Sequence, residues 1–271
     1  MSLICRFCKC SKFSNHFVST NENTPYSICE NCGCHNKSSH QKYKYDDSDT
    51  YWNNVKDPDG KTRNIVSEKE KKFKLKNWYG DISNFVNSFE NPKVLDIGCG
   101  LGYLLSSLDT KYKFGLEPSQ YARDIIKKNY KEINIYNLNS NAINEIEETF
   151  DIIIAYHVIE HVTDPIKFIK DIKLKLNKNG IVIIGTPLID GLISNYFGKN
   201  YRLYNQSHEI LFNMKSLKDL HTLNNLKMIR VEKPFFKTDY FNIENIIRLF
   251  NNKKISPPFY GSIVTTYSKN I

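Results

Sequence analysis

Two cysteine pairs near the start of the chain have the spacing of metal ligands. Each pair reads Cys-x-x-Cys, and the four thiols belong to Cys5, Cys8, Cys29 and Cys32. Thiolates at this spacing can surround one Zn²⁺ tetrahedrally, and the bonds to the metal stabilise a segment too small to have a hydrophobic core. Four thiolates leave no open coordination position, so we expect a structural ion. A site with these four ligands does not use Cys10 and Cys34, each of which lies two residues after the second cysteine of a pair.

A glycine-rich loop follows an apolar segment in the middle of the chain. Val94–Gly102 (VLDIGCGLG) runs through Gly98, Gly100 and Gly102 into an apolar helix. Glycine lets the backbone turn sharply and approach a ligand closely, and the helix start offers free N–H groups. Glu117 ends the next predicted strand, where a carboxylate can hydrogen-bond both hydroxyls of a ribose. The order strand, glycine loop, helix, strand and acid therefore predicts a nucleotide-like cofactor.

Histidines and a glutamate follow the next apolar strand, in the stretch FDIIIAYHVIEHVTDP. They are His157, Glu160 and His161, and His208 comes later in a polar loop. Imidazole titrates near neutral pH, so one of the three histidines can act as a general base. The alternatives are that Glu160 and His161 brace the strand end and that His208 anchors its loop. Metallopeptidases carry H-x-x-E-H within a long helix, whereas here it ends a strand.

Apolar runs alternate with helical segments after Pro92, which predicts βαβ units and a doubly wound parallel α/β sheet that ends in an antiparallel pair. The predicted strands are Lys93–Ile97, Lys113–Glu117, Ile133–Tyr136, Phe150–Ala155, Ile181–Thr186, Lys227–Val231 and Ser262–Tyr267. The predicted helices are Leu101–Leu108, Gln120–Lys128, Pro165–Leu176 and Ser216–Asn224. Asp164 is the expected N-cap of the third helix, with Pro165 at its first position.

Three parts of unequal size are expected along the chain. Residues 1–45 form a zinc-ribbon module, and residues 92–271 form the α/β domain. Between them, residues 46–91 are polar and rich in lysine, but apolar side chains recur at helical spacing from Ser67 to Phe89. We expect this middle part to be a helical linker that covers the sheet edge or the cofactor cleft.

The sequence resembles the class I S-adenosylmethionine-dependent methyltransferases from Lys93 to Val231. The resemblance rests on the D-x-G-x-G-x-G pattern, on Glu117 and on the segment that ends in His161 and Asp164-Pro165. It implies a Rossmann-like seven-stranded sheet and an S-adenosylmethionine-binding enzyme. The cofactor-binding residues that it implies are Asp96, Gly98, Gly100, Gly102, Glu117 and Tyr156. Where the family often carries an aspartate that contacts the adenine, this chain has Asn139 or Asn141 as the substitute.

The histidine segment is similar to those of ubiquinone-pathway O-methyltransferases and of sugar methyltransferases. This similarity implies methyl transfer to oxygen, and it gives His161, His157, His208 and Glu160 as the candidate catalytic residues. In some ubiquinone-pathway relatives, acids at this segment bind a divalent ion, and His157 aligns with one of them. A divalent ion near Glu160 therefore stays an open alternative.

Charge and composition bear on the partner. The formal net charge is +9, but only six of the 38 basic residues are arginine, and the lysines are scattered. We expect a small-molecule acceptor such as a sugar, a nucleotide-linked sugar or a glycan precursor. The alternative function is that of an RNA methyltransferase whose zinc module binds RNA. The third candidate is a non-catalytic scaffold that binds S-adenosylmethionine. The amino terminus lacks the apolar run of a secretion signal, so we expect a cytoplasmic protein without membrane insertion.

Overall fold

The structure is a computed structural model of the 271-residue chain. It describes residues 3–20, 22–39, 52–53, 55–56, 62–67, 80–138, 140, 142–233, 243–251 and 263–271. Asn139, Asn141 and residues 68–79 of the predicted linker helix lie outside these ranges.

The strands belong to three sheets. In chain order they are β1 (Phe13–Val18), β2 (Pro25–Cys29), β3 (His35–Lys37), β4 (Val55–Lys56), β5 (Thr62–Arg63), β6 (Val94–Ile97), β7 (Lys113–Leu116), β8 (Ile133–Tyr136), β9 (Phe150–Tyr156), β10 (Leu176–Pro187), β11 (Ile210–Leu211), β12 (Leu226–Glu232) and β13 (Ile263–Asn270). The largest sheet has the order β12-β13-β10-β9-β6-β7-β8. Its strands from β10 to β8 are parallel, and β13 is antiparallel to both of its neighbours. The predicted seven-stranded, doubly wound sheet is confirmed.

Alternating side chains along the central strands explain why helices cover both faces of this sheet. In β9, Ile153 belongs to one buried cluster, whereas Ile152 and Ile154 belong to another. In β10, Val182 and Ile184 join the first cluster and the odd-numbered isoleucines join the second. Successive side chains of a strand point to opposite faces, so a strand that is apolar throughout must be covered on both sides.

Seven α-helices are described, and one of them begins directly after the capping residue that the sequence predicts. They are α1 (Gly80–Val86), α2 (Tyr103–Ser106), α3 (Gln120–Asn129), α4 (Pro165–Leu174), α5 (Leu192–Phe197), α6 (Met214–Leu223) and α7 (Ile243–Phe250). The side chain of Asp164 accepts a hydrogen bond from the backbone N–H of Lys167, and Pro165 occupies the first turn, as predicted. Among the described helices, none is long and apolar enough to cross a membrane.

A second sheet joins the amino-terminal module, defined here as residues 3–39, to the larger domain. Its order is β1-β2-β3-β11, and all three pairings are antiparallel. Strand β11 begins two residues after His208 in the chain. Phe7 of the module also packs edge-on against Phe212, with ring centroids 6.3 Å apart. The division into three parts stays a prediction, but the module completes its sheet with a strand from the larger domain.

We expect that Gly185→Ala lowers the free energy of unfolding by about 1–3 kcal/mol, the usual cost of overpacking. Gly185 in β10 pairs with Tyr156 in β9, and a Cβ at position 185 would lie 2.2 Å from the Tyr156 ring. Urea denaturation measures the cost, and Tyr156→Ala supplies the control background, in which Gly185→Ala should cost much less. An equal cost in both backgrounds would contradict this steric explanation.

Candidate active site

The carboxyl ends of β6, β7 and β9 lie at one edge of the large sheet. These three strands are adjacent and parallel, so the segments that follow them meet there. The glycine loop follows β6, Glu117 follows β7 and His157 follows β9. In open parallel sheets this edge is where ligands bind.

The glycine loop has a backbone that only glycine adopts without strain. Gly98, Gly100 and Gly102 have φ angles of +70°, +55° and +78°. A Cβ at Gly98 would lie 2.9 Å from a methyl carbon of Val158, and one at Gly102 would lie 3.0 Å from Ile126. The loop therefore lies directly against the segment that carries His157.

Glu117 holds the loop in place. One carboxylate oxygen accepts a hydrogen bond of 2.9 Å from the backbone N–H of Gly100, and the other accepts one of 2.9 Å from the N–H of Ser119. The side chain is buried, as is that of Asp96 in β6. Both residues thus lie at the edge of the sheet where the sequence predicts the cofactor, and Glu117 also organises the backbone there.

Trp52 is a residue of this region that sequence reasoning missed. Its indole N–H donates a hydrogen bond of 3.2 Å to Ser119 Oγ, and the side chain is buried with Leu101 and Ala122. The ring also stacks on Tyr121. The part of residues 46–91 that contains Trp52 therefore covers the glycine loop and the start of α3. An isolated tryptophan in a polar segment was the only available signal.

His157 and Glu160 form a hydrogen-bonded pair at the end of β9. His157 has a φ of +60°, which is uncommon for a residue with a side chain, and its backbone N–H donates to the carbonyl of Gly185. Its Nδ1 lies 2.9 Å from a carboxylate oxygen of Glu160. Since an ionised carboxylate can only accept, Nδ1 carries the proton. Thr186 donates to the other carboxylate oxygen at 3.1 Å.

Glu160 is fully buried and ionised. Burial by itself raises the pKa of this carboxyl group, but the hydrogen bond from His157 and the charge on that imidazole outweigh it and lower the pKa to about 2. A carboxylate that keeps its charge next to an imidazole fixes the position of the ring proton. In the neutral state of this imidazole, the other ring nitrogen, Nε2 of His157, carries the free lone pair.

His161 and His208 face each other beside Glu160. Their ring centroids are 4.8 Å apart in an edge-to-face arrangement. Nδ1 of His161 donates to the carbonyl of Ser207 at 2.9 Å, and Nδ1 of His208 donates to the carbonyl of Leu203 at 2.6 Å. His161 is exposed, whereas burial and the neighbouring charge of His161 lower the pKa of His208 to about 3. His208 is therefore neutral at physiological pH.

The structure thus brings together the four candidate catalytic residues. Three of them, Glu160, His161 and His208, each place one ligand atom within 4.8 Å of the other two, so these three could hold an ion. His157 does not belong to this group. Of the candidate cofactor residues, Asn139 lies outside the described ranges, and half-buried Tyr156 lies at the end of β9 with its ring edge-on to His157.

The four predicted metal-ligating thiols also come together. The sulfurs of Cys5, Cys8, Cys29 and Cys32 all lie within 4.8 Å of one another. Sγ of Cys5 is 3.6 Å from that of Cys32, and Sγ of Cys8 is 3.4 Å from that of Cys29. A tetrahedral site with Zn–S bonds of about 2.3 Å requires sulfurs about 3.8 Å apart. The donor set therefore fits Zn²⁺.

The backbone around the thiols repeats in both pairs. The residue after the second cysteine of each pair, Lys9 or Gly33, has a positive φ. In the first turn the N–H of Cys5 donates to the carbonyl of Cys10, and in the second the N–H of Cys29 donates to that of Cys34. Cys10 and Cys34 thus close the two turns through their backbone carbonyls, and their thiols do not belong to the group of four.

We expect that His208→Gln flattens the pH dependence of stability between pH 6.5 and 3. The unfolded chain binds a proton on this histidine below about pH 6.5, whereas the folded chain resists it until about pH 3. The stability due to neutral His208 is present above pH 6.5 and falls by up to about 1.4 kcal/mol per pH unit as the pH is lowered. Urea denaturation at pH 7, 6 and 5 measures this. Parallel curves for the two proteins would contradict it.

Known proteins with similar sequences include methyltransferases. Residues 71–231 match the model of the methyltransferase domain family. The tRNA U34 carboxymethyltransferase of Campylobacter jejuni is 32% identical over 120 residues, which cover 39% of this chain and 39% of that protein. The ubiquinone biosynthesis O-methyltransferase of Parvibaculum lavamentivorans is 30% identical over 119 residues, which cover 40% of this chain and 45% of that protein. The chain spans about two fifths of the length of these curated relatives.

The fold has counterparts among solved structures. The crystal structure of an S-adenosylmethionine-dependent methyltransferase from Thermotoga maritima matches with a TM-score of 0.54 at 20% identity, and the match covers 76% of this chain and 96% of that chain. This likeness shows the fold, and the family model covers more than half of the residues. The chain therefore belongs to the methyltransferase domain family.

Proposed function

We propose that this protein transfers the methyl group of S-adenosylmethionine to a hydroxyl oxygen of a small-molecule acceptor. The observation that carries the proposal is the His157–Glu160 pair, which joins an oriented imidazole to a buried carboxylate directly beside the glycine loop. An imidazole held by a carboxylate is the arrangement that removes a proton from a hydroxyl group during attack.

The cofactor would lie at the carboxyl ends of β6 and β7. Glu117 would accept hydrogen bonds from the ribose hydroxyls, and the close turn through Gly98, Gly100 and Gly102 leaves room for the methionine part. Asp96 and Tyr156 would border the same cleft. When bound, S-adenosylmethionine supplies a methyl group on a positively charged sulfur.

His157 and Glu160 would carry out the proton transfer. Nε2 of His157 would take the proton of the acceptor hydroxyl as that oxygen accepts the methyl group, which the bound cofactor would supply, with S-adenosylhomocysteine as the leaving product. Glu160 stays ionised and stabilises the resulting imidazolium. This division of roles follows from the low pKa of Glu160 and from the proton that it holds on Nδ1.

The ion pairs between the amino-terminal module and the larger domain favour a small acceptor over RNA. Four basic residues are described in residues 3–39, and three of them pair with carboxylates of the larger domain. Arg6 and Lys37 contact Glu209, and Lys9 contacts Asp164. Arg6 and Lys37 are directed inward and Lys9 is paired at the surface, so these three cations are not free to bind phosphates. A sugar or nucleotide-linked sugar stays our predicted acceptor, and the relative named as an O-methyltransferase supports transfer to oxygen.

RNA stays the second candidate because several relatives, from Campylobacter and Nautilia species, are named as tRNA U34 carboxymethyltransferases. A panel of nucleotide sugars, free sugars, catechols and tRNA, each incubated with methyl-labelled S-adenosylmethionine, distinguishes the two. Label on a small molecule supports the proposal, whereas label on tRNA alone, with strongly salt-dependent binding, would replace it with the second candidate. Cofactor binding without transfer to any compound would favour a non-catalytic scaffold.

We expect that His157→Gln lowers kcat by about 10²- to 10⁴-fold, the usual contribution of a general base. The Kd for S-adenosylmethionine should stay near the wild-type value, because the glycine loop and Glu117 are unchanged. Isothermal titration calorimetry and label transfer measure the two quantities. His161→Gln is the matched control: this exposed side chain is bonded to a loop carbonyl, so its loss should cost far less. A larger effect at His161 than at His157 would overturn the assignment of the base.

We also propose that Cys5, Cys8, Cys29 and Cys32 hold a structural Zn²⁺. The close approach of their sulfurs supports this, and the ion would fix the two turns that begin the module. Its role would be to stabilise the small four-stranded sheet, since four thiolates leave no position for a substrate.

We expect the purified protein to contain about one zinc per chain, as such four-cysteine sites do. Metal analysis by mass spectrometry should show that Cys8→Ser loses the ion and melts at a lower temperature. Cys10→Ser should keep both the ion and the melting temperature, because its sulfur lies outside the group of four. Equal loss of zinc in the two variants would show that the ligand set is wrong.

A further inference from the structure

A buried ion cluster joins the amino-terminal module to the loop that carries His208. It consists of Glu209 and two cations of the module, Arg6 and Lys37. Nη2 of Arg6 lies 2.6 Å from one carboxylate oxygen of Glu209, and Nζ of Lys37 contacts the other. Lys37 is only 1% exposed, and lysine is almost never buried to this extent without a charged partner.

The same cations also bind the backbone on both sides of the contact. Nζ of Lys37 donates to the carbonyl of Gln206 at 2.8 Å, and Nη1 of Arg6 donates to the carbonyl of Lys37 at 2.9 Å. The backbone N–H of Lys37 donates to the carbonyl of Glu209. The cluster therefore binds the loop at Gln206 and Glu209, which lie on either side of His208 in the chain.

The loop is in turn attached to the catalytic segment. The backbone N–H of Glu209 donates to the carbonyl of Glu160 at 2.8 Å. The hydroxyl of Tyr26, another module residue, donates to the carbonyl of His208 at 3.0 Å. These bonds set the position of the His208 ring, which faces His161 and is itself bonded to the carbonyl of Leu203.

The chemical nature of the cluster indicates more than a stabilising role. Apolar side chains of similar size would often stabilise a buried contact at least as well as an ion pair does, whereas an ion pair fixes the geometry of its partners. A second ion pair between module and domain, Lys9 with Asp164, lies in solvent at 3.3 Å, where such pairs contribute little. The buried pair is the one next to His208.

We propose that Arg6, Lys37 and Glu209 are positioning residues, which hold the imidazole of His208 beside Glu160 and His161 so that it helps bind the acceptor hydroxyl. This inference rests on the proposed function for the role of His208 in acceptor binding. The geometric part, that the cluster sets the position of the His208 ring, stands without it.

The test uses the full-length zinc-loaded protein labelled with ¹⁵N-histidine. The Nδ1–H of His208, bonded to a carbonyl in a buried site, should give a slowly exchanging imidazole signal, and His208→Gln assigns it by its absence. In Lys37→Met and Glu209→Gln this signal should broaden or exchange at least tenfold faster. Lys9→Met, which removes the exposed cation of the same module, should leave it unchanged. Zinc content and the Kd for S-adenosylmethionine should match the wild type in all of these variants.

The kinetic arm uses whichever panel compound accepts the label. Lys37→Met and Glu209→Gln should lower kcat/KM for that compound at least fivefold, with most of the change in its KM, while Lys9→Met should not. If Glu209→Gln does not fold, Arg6→Met and Arg6→Lys replace it, and the variant that keeps the charge should retain more of the imidazole protection. Wild-type protection in all the cluster variants would overturn the inference. If no panel compound accepts label, the proposed function fails, but the imidazole signal still tests the positioning.

Discussion

The side chain of Glu160 keeps its negative charge without any contact with solvent, and the candidate site is arranged around this constraint. A buried carboxylate needs hydrogen-bond donors and positive charge close by. His157 supplies both from the turn after β9, and Thr186 supplies a hydroxyl from the end of β10. The backbone carbonyl of Glu160 accepts a bond from Glu209. Two strands and a distant loop therefore converge on one residue.

Two buried carboxylates, joined by a single backbone hydrogen bond, are neutralised in different ways. Glu209 is paired with the guanidinium group of Arg6 and the ammonium group of Lys37, which suit a contact that must not change. Glu160 is paired with an imidazole, whose second ring nitrogen can accept a proton. One carboxylate thus suits holding two parts of the molecule together, and the other suits proton transfer.

Local patterns in the sequence predicted much of the α/β domain. Strand β8 has the predicted bounds, and α4 begins at Pro165 behind its Asp164 cap as predicted. The ends of helices were less accurate. The helix predicted from Leu101 begins only at Tyr103, because Gly102 adopts a left-handed backbone. The helix predicted to reach Leu176 ends at Leu174, and Leu176 already pairs with Phe150 in the sheet.

The sequence by itself determined the chemistry available to this protein: the four paired thiols, the glycine loop with its acid, and the histidines after β9. These features are readable because each depends on residue types at short, fixed spacing. Only the tertiary structure decided which imidazole is held by Glu160, that Thr186 and Trp52 belong to the site, and that Lys37 is buried against Glu209. Such contacts join residues far apart in the chain, and they depend on strand order and on how the module docks, which no local pattern specifies.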